Sequence, residues 1–259
     1  LTMRLMKKFV GVAAALALSA SLLIGCGGST ASSAPASASS AAESTASSVE
    51  EASSSAVNEE EAAAQLLNDL TGSYQELWPV ILADDYKQTW LDDCAALVGE
   101  DNAEGAFEKL TSMITGDVYG EDAVKAYANG GEAYFCGFTN DLATLTVDGE
   151  NSTISGIDQD GNVLFSHTYH SIGMESERGM YEFESDDADS GEFTYFFFAP
   201  DTSAETYHIE FRYGSDAEAL SQYDAGDYAY WMASGISTDC DQTMIDNCIE
   251  LFCTENLAG

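Results

Sequence analysis

The sequence predicts an α+β domain in which helices precede an antiparallel β-barrel and a final helix closes the chain. Two observations carry this. Apolar residues recur at helical spacing up to about Ala128. From Ala133 to Tyr213 they alternate at period two, in short runs separated by Gly, Asp and Asn. Strands this short and closely spaced suit a small barrel or a strongly curved sheet.

The chain begins with features that do not belong to a fold. Arg4, Lys7 and Lys8 precede the apolar run Phe9 to Ile24, with Met3 the expected start. A basic start, a short apolar core and small residues make an export signal. Leu23-Ile24-Gly25-Cys26 resembles a bacterial lipobox, which implies cleavage before Cys26 and lipid attachment to its thiol, over a signal of 1–26. Residues 27–58 are mostly Ser, Ala and Thr and have too little apolar surface to offset ordering. They are expected to be a disordered tether, the membrane being touched through the lipid alone. The folded domain is expected over 59–259, with a helical lead over 59–130, a barrel over 131–235 and a last helix over 237–253. The expected location is extracytoplasmic, at the bacterial cell membrane.

Glu59 to Leu70 carries a weak apolar stripe. Ser73 or Thr71 is the expected cap of a longer helix running to Leu97, with Pro79 tolerated in its first turns. Helices follow at Glu104 to Ile114 and Glu121 to Ala128, the latter stopped by Asn129-Gly130-Gly131. Seven strands are expected: Ala133–Phe138, Leu142–Val147, Ser152–Ile157, Val163–Tyr169, Arg178–Phe183, Glu192–Phe198 and Thr206–Tyr213. Ala217 to Gln222 reads as a short helix. Ser237 to Phe252 reads as a final one, capped by Ser237 or Thr238. The acidic stretch Asp158 to Asn162 begins like a calcium loop, but Val163 stands where the loop needs Gly, so it reads as a hairpin turn. The acids of Asp186 to Asp189 read the same way.

Charge excludes one class of partner. The formal charge is −37, and without the signal five basic residues face 45 acids. Such a surface repels nucleic acid and anionic head groups. Five cysteines follow Cys26, an odd number, and Cys240, Cys248 and Cys253 lack zinc-ribbon or redox spacing. They read as buried small residues, or as one disulfide plus a spare.

The candidate site centres on Thr206 to Asp216. Alternation places His208, Glu210 and Arg212 on one face, with Tyr207, Ile209, Phe211 and Tyr213 on the other. A His and a Glu two apart on one strand face can give nitrogen and oxygen to one metal ion. A bland alternative is a satisfied His beside a Glu210–Arg212 pair.

The helical lead and the following strands resemble the ZinT (YodA) zinc-binding family over roughly Leu70 to Cys253. Leu70 to Pro79 is similar to the family's opening helix, and Asp141 to Val147 to its first barrel strand. Ala199-Pro200 is similar to an Ala-Pro between its metal-bearing strands, and Tyr228-Ala229-Tyr230-Trp231 to an aromatic run. His208-Ile209-Glu210-Phe211-Arg212-Tyr213-Gly214-Ser215-Asp216 resembles its His-x-His segment. The resemblance implies a lipocalin- or calycin-like barrel that binds zinc at its mouth. His208 matches the first paired histidine, Glu210 replaces the second, and the third falls on Phe196 or Ala199. This chain offers His167 and His170 instead. Three apart, they lie on opposite faces of a regular strand, and His170, read as lying at the strand end near the rim, is the expected third ligand. The expected metal set is thus His170, His208 and Glu210, with His167 the remaining candidate. Zinc is the expected metal, another divalent ion the alternative. The implied role is metal capture or buffering, feeding a zinc ABC transporter.

No Ser/His/Asp order, P-loop or paired general base points to an enzyme. A second reading keeps the barrel but fills it with a small apolar ligand, lined by Tyr195, Phe196, Phe197 and Phe198 or by Tyr228, Tyr230 and Trp231. A third is a surface adhesion module.

Overall fold

The computed structural model describes residues 58–114, 116, 118–130 and 134–258. The expected export signal, Cys26, the tether up to 57 and the start of the Ala133 strand lie outside the described residues. No described helix is long and apolar enough to cross a membrane.

Eight antiparallel strands close into a barrel in sequence order. They are β1 (Gly72–Glu76), β2 (Thr144–Asp148), β3 (Thr153–Ile157), β4 (Val163–Met174), β5 (Tyr181–Ser185), β6 (Tyr195–Phe198), β7 (Ile209–Gly214) and β8 (Ala233–Ser237). Helices α1 (58–69), α2 (Leu77–Ile81), α3 (Lys87–Val98), α4 (Glu100–Ile114) and α5 (Glu121–Ala128) fall before β2. Short helices α6 (Ser203–Thr206) and α7 (Ala217–Ser221) flank β7, and α8 (Gln242–Leu257) ends the fold.

Two strands depart from the sequence expectation. The long helix expected after Ser73 does not begin there, because Gly72 to Glu76 form β1. Tyr74 is the buried centre of that strand, opposite Leu145 on one side and Ser237 on the other. Only long-range pairing makes it a strand. β8, absent from the expected set, pairs with β7 over Ile209–Phe211 and with β1 over Tyr74–Glu76. Conversely, Ala133–Phe138 is not a barrel strand. Its backbone makes a single bridge from Phe135 to Trp231. Trp231 Nε1 donates to Gly137 O at 2.8 Å, and Phe138 sets its ring 5.3 Å from Phe211. The segment thereby sits where β7 and β8 part. The last helix is capped by Asp241, whose carboxylate accepts from Met244 N, and not by Ser237, which ends β8, or Thr238, in the turn after it.

Side-chain alternation decides what fills the barrel. Directly paired residues share a face, so Leu145, Ile154, Phe165, Phe183, Phe196, Phe198, Phe211 and Tyr213 point inward, and all are buried. Their rings form one connected stack. Phe196 lies 5.8 Å from Phe198, 6.3 Å from Phe211 and 5.3 Å from Tyr213. Phe193, from the turn before β6, bridges Phe165 at 4.0 Å and Tyr213 at 5.6 Å. Gly235 leaves room for Tyr74 and Ile209, since a Cβ there would meet them at 3.2 and 3.3 Å.

The rings expected to line an apolar ligand cavity are therefore the filling itself, or are not inside. Phe196 and Phe198 are core. Phe197 faces outward opposite Arg212, and Tyr195 shares that outward face, its hydroxyl on Glu184. Tyr230 stacks on Tyr127 of α5 at 4.1 Å, and the Tyr228 hydroxyl donates to Glu192.

Outside the barrel, α8 buries Ile245, Cys248, Ile249 and Cys253 along one stripe. Its Phe252 ring packs 4.9 Å from Trp78 of α2 and 5.2 Å from His208. Trp90 of α3, fully buried, donates Nε1 to Ile81 O at 2.7 Å. Helix α8 is thus wedged between the helical lead and the outer face of β7.

A filled barrel has a measurable consequence. Phe196→Ala should cost about 3–5 kcal/mol in urea denaturation, the range for deleting a packed core ring. Val163→Ala, at a site 70% exposed, should stay within about 0.5 kcal/mol. Equal, small losses at both positions would mean a hollow interior.

Candidate metal site

The backbone before β7 fixes His208. Helix α6 ends at Thr206, and Tyr207 takes a left-handed conformation at φ 65°. That turn brings Thr206 O to His208 Nδ1 at 2.8 Å, while the Thr206 hydroxyl donates to His208 O at 2.8 Å. A carbonyl can only accept, so Nδ1 carries the hydrogen and Nε2 keeps its lone pair when the ring is neutral. Nε2 faces Glu210 Oε1 at 3.9 Å. A backbone carbonyl on one imidazole nitrogen is how metal-ligating histidines are oriented for the other.

The alternation expected for this strand holds, but the His208 face is the outside of the barrel. Ile209, Phe211 and Tyr213 point in; His208, Glu210 and Arg212 point out. His208 is buried beneath α8 and does not look into a barrel mouth.

Two carboxylates that the sequence reading omitted are coupled to it electrostatically. Asp201, just beyond β6, has its pKa raised by burial and by Glu205 and Glu210, with His208 opposing. Glu255, in the last turn of α8, is raised by burial, with His208 opposing and Glu210 and Asp201 adding. Cys248 Sγ lies 3.9 Å from His208 Nδ1. Burial disfavours the charged form of His208, but Cys248 and Glu210 outweigh it and raise the pKa to about 10. Among the described residues no three His, Cys, Asp or Glu side chains are already gathered at coordinating distance. Helical spacing was the available signal for Glu255, which shares the face of Cys248 and Phe252. Asp201 has no periodic signal, since it sits in a loop.

The structure does not bring His170 to this place. β4 continues across a bulge to Met174, so His170 is mid-strand and not at a rim. Pairing runs His170 to Glu184, Glu184 to Tyr195 and Tyr195 to Gly214, which puts His170 level with the far end of β7. Six residues separate that level from His208, about 20 Å along a strand. His170 is exposed, with Nδ1 2.7 Å from Asp186 Oδ1 and Nε2 3.9 Å from Glu184 Oε2. His167 takes the inward position instead, opposite Ile154, with its ring 5.9 Å from Phe165 and Nδ1 2.7 Å from Asp187 Oδ2. Of the four expected ligands, His208 and Glu210 are neighbours; His167 and His170 belong to the other end.

Arg212 does not pair with Glu210. Its guanidinium, 1% exposed, donates to the carbonyls of Leu220, Gln222 and Tyr228, and burial lowers its pKa to about 10. It ties the segment after β7 to the sheet.

The described residues thus define a closed eight-stranded barrel with a helix-covered histidine–carboxylate cluster on its outer face. No family model and no curated protein sequence matches the chain. Among solved structures it is similar to the Zn(II)-bound ZinT-like domain of Streptococcus pneumoniae AdcA, at 16% identity and a TM-score of 0.45, over 71% of this chain and 89% of that one. It is also similar to Zn(II)-bound AdcA from Streptococcus pneumoniae, at 18% identity and a TM-score of 0.41. That match covers 74% of this chain and 35% of the other.

The raised pKa of His208 sets a pH dependence of stability. A basic group whose pKa rises on folding stabilises fully below its unfolded value, about 6.5, and that stabilisation is lost as pH rises towards about 10. His208→Gln should therefore flatten the fall in urea stability between pH 6.5 and 10. A variant that retains the wild-type slope over that window would assign the slope to other groups.

Proposed function

We propose that this chain is a lipid-anchored extracytoplasmic protein that binds a divalent metal ion, zinc foremost, for capture or buffering and for delivery to a zinc ABC transporter. The observation that supports the metal reading is the His208 geometry. Nδ1 is committed to a backbone carbonyl, and Nε2 is turned towards Glu210, where a metal ion would displace the proton that Nε2 holds below a pKa of about 10, with Asp201 and Glu255 coupled electrostatically to the same ring. One imidazole and two or three carboxylates suit zinc, with water completing four ligands. Manganese, another taker of oxygen ligands, would bind more weakly. Anchoring and location are supported by Leu23-Ile24-Gly25-Cys26 after an apolar run, and by the polar stretch that follows.

In this reading His208 is the orienting ligand, because its ring is held by the turn and by Phe252. Glu210 supplies the first oxygen from the same strand face. Asp201 and Glu255 come from a loop and a helix end, so they close on the ion by side-chain rotation. Their repulsion in the metal-free state is relieved by a dication, which makes loading favourable without any change in the barrel.

Zinc titration of the tether-bearing chain with a competing chelator tests the proposal. One equivalent should bind, and His208→Ala should weaken it at least about 100-fold. His170→Ala should leave the affinity unchanged, since it lies at the other end. Affinity should also fall more than about tenfold from pH 7.5 to 5.5, because a proton competes for Nε2. Equal zinc uptake by wild type and His208→Ala would leave only the acidic surface as the binder.

A further inference from the structure

Cysteines 94 and 253 are 159 positions apart in sequence and meet in the fold. Cys94 lies on the buried face of α3, Cys253 on the buried stripe of α8, and both are fully buried. Their sulfurs are 3.7 Å apart. A disulfide needs about 2.05 Å, a further approach of about 1.7 Å. The remaining described cysteines have other surroundings: Cys248 faces His208, Cys136 is buried beside Trp78 and Ser234, and Cys240 is partly exposed.

We propose that Cys94 and Cys253 form a structural disulfide that locks α8 onto the helical lead. It is a modification site distinct from the metal cluster and does not depend on the metal reading. The oxidant is a disulfide, of a small thiol or of an exchange protein. Cys94 thiolate attacks one of its sulfurs, forming a mixed disulfide and expelling the other as a thiolate. Cys253 thiolate then displaces the remaining sulfur. The Cys94–Cys253 bond forms, the oxidant's bond is broken, and the two thiol protons end on the oxidant's two sulfurs.

Order of events follows from burial. Both sulfurs are fully buried between α3 and α8 once α8 has docked, so an external disulfide cannot reach either of them there. The bond therefore forms while α8 is still free, and closes a loop spanning 159 positions. Loops of that length lose much entropy from the unfolded chain, and the bond holds in place the helix that carries Cys248 and Glu255.

The test uses the whole chain refolded with oxidised glutathione, then cleaved after glutamate without reduction. Cleavage at Glu76, Glu100, Glu250 and Glu255 isolates 77–100 and 251–255, each holding one cysteine of the pair. These two peptides should appear linked, and separate on reduction. Melting should drop by about 10 °C in reductant. The Cys94→Ser, Cys253→Ser double variant should melt near the reduced wild type and ignore reductant. Native reduced protein should oxidise at least about tenfold more slowly than the urea-unfolded chain. Recovery of 77–100 and 251–255 unlinked after oxidative refolding, or linked to peptides bearing Cys136, Cys240 or Cys248, would overturn the proposal. So would a wild-type melting point that reductant does not move.

Discussion

Barrel closure rests on five residues. β1 meets β2 through Gly72 to Tyr74 and β8 through Tyr74 to Glu76, so Tyr74 alone is paired on both sides. Without that strand, β2 and β8 would each present an open edge, and the sheet would have no reason to wrap around its aromatic column. The Tyr74 hydroxyl also donates to Leu70 O at 2.8 Å, which joins the seam to the end of α1. Everything inward depends on this seam, because the ring stack is enclosed only when the sheet is closed. The helical lead depends on it too, since β1 runs directly into α2 and sets where Trp78 and Pro79 stand.

The same seam explains what could be read from the residues and what could not. Strands β2 to β5 and β7 alternate, β6 is an aromatic run of Tyr and three Phe, and the separators before β6 are rich in Gly, Asp and Asn, so local chemistry declares them. β1 is five residues with one large apolar side chain, and β8 is Ala-Ser-Gly-Ile-Ser. Neither contains enough apolar alternation to be recognised alone. They pair with each other across about 160 residues, which no local pattern encodes. In the reverse direction, Ala133–Phe138 has the aromatic content of a strand but spends it bridging Trp231 and reaching Phe211.

The site divides in a similar way. Period two on β7 placed His208 and Glu210 together, and they are together. Whether that face looked into the barrel or away from it depended on which face held the larger rings, and the aromatics won the interior. The strand expected to stop at Tyr169 puts His170 at a rim; the bulge at Ser171 to Gly173 carries the strand on to Met174. Asp201 and Glu255 come within electrostatic reach of His208 through a loop and through the packing of α8, a coupling that exists only in the folded chain. The cluster is thus assembled from one local element and two distant ones, and only the local part was legible.

Arg212 carries a consequence of a different kind. The described ion pairs of this acid-rich chain that involve Lys are exposed, joining Lys87 to Glu104 and Lys125 to Glu121 and Asp122. Such pairs fade with salt and with acid. Arg212 instead fastens the chain after β7 through three backbone carbonyls, acceptors that never titrate and that sit away from solvent. Among the described residues, the positive charge most deeply buried is thereby held by groups that carry no charge. Acidification or brine can rearrange the outer carboxylates and leave that joint as it was, so the segment leading into β8 stays in register under conditions that reset the rest of the surface.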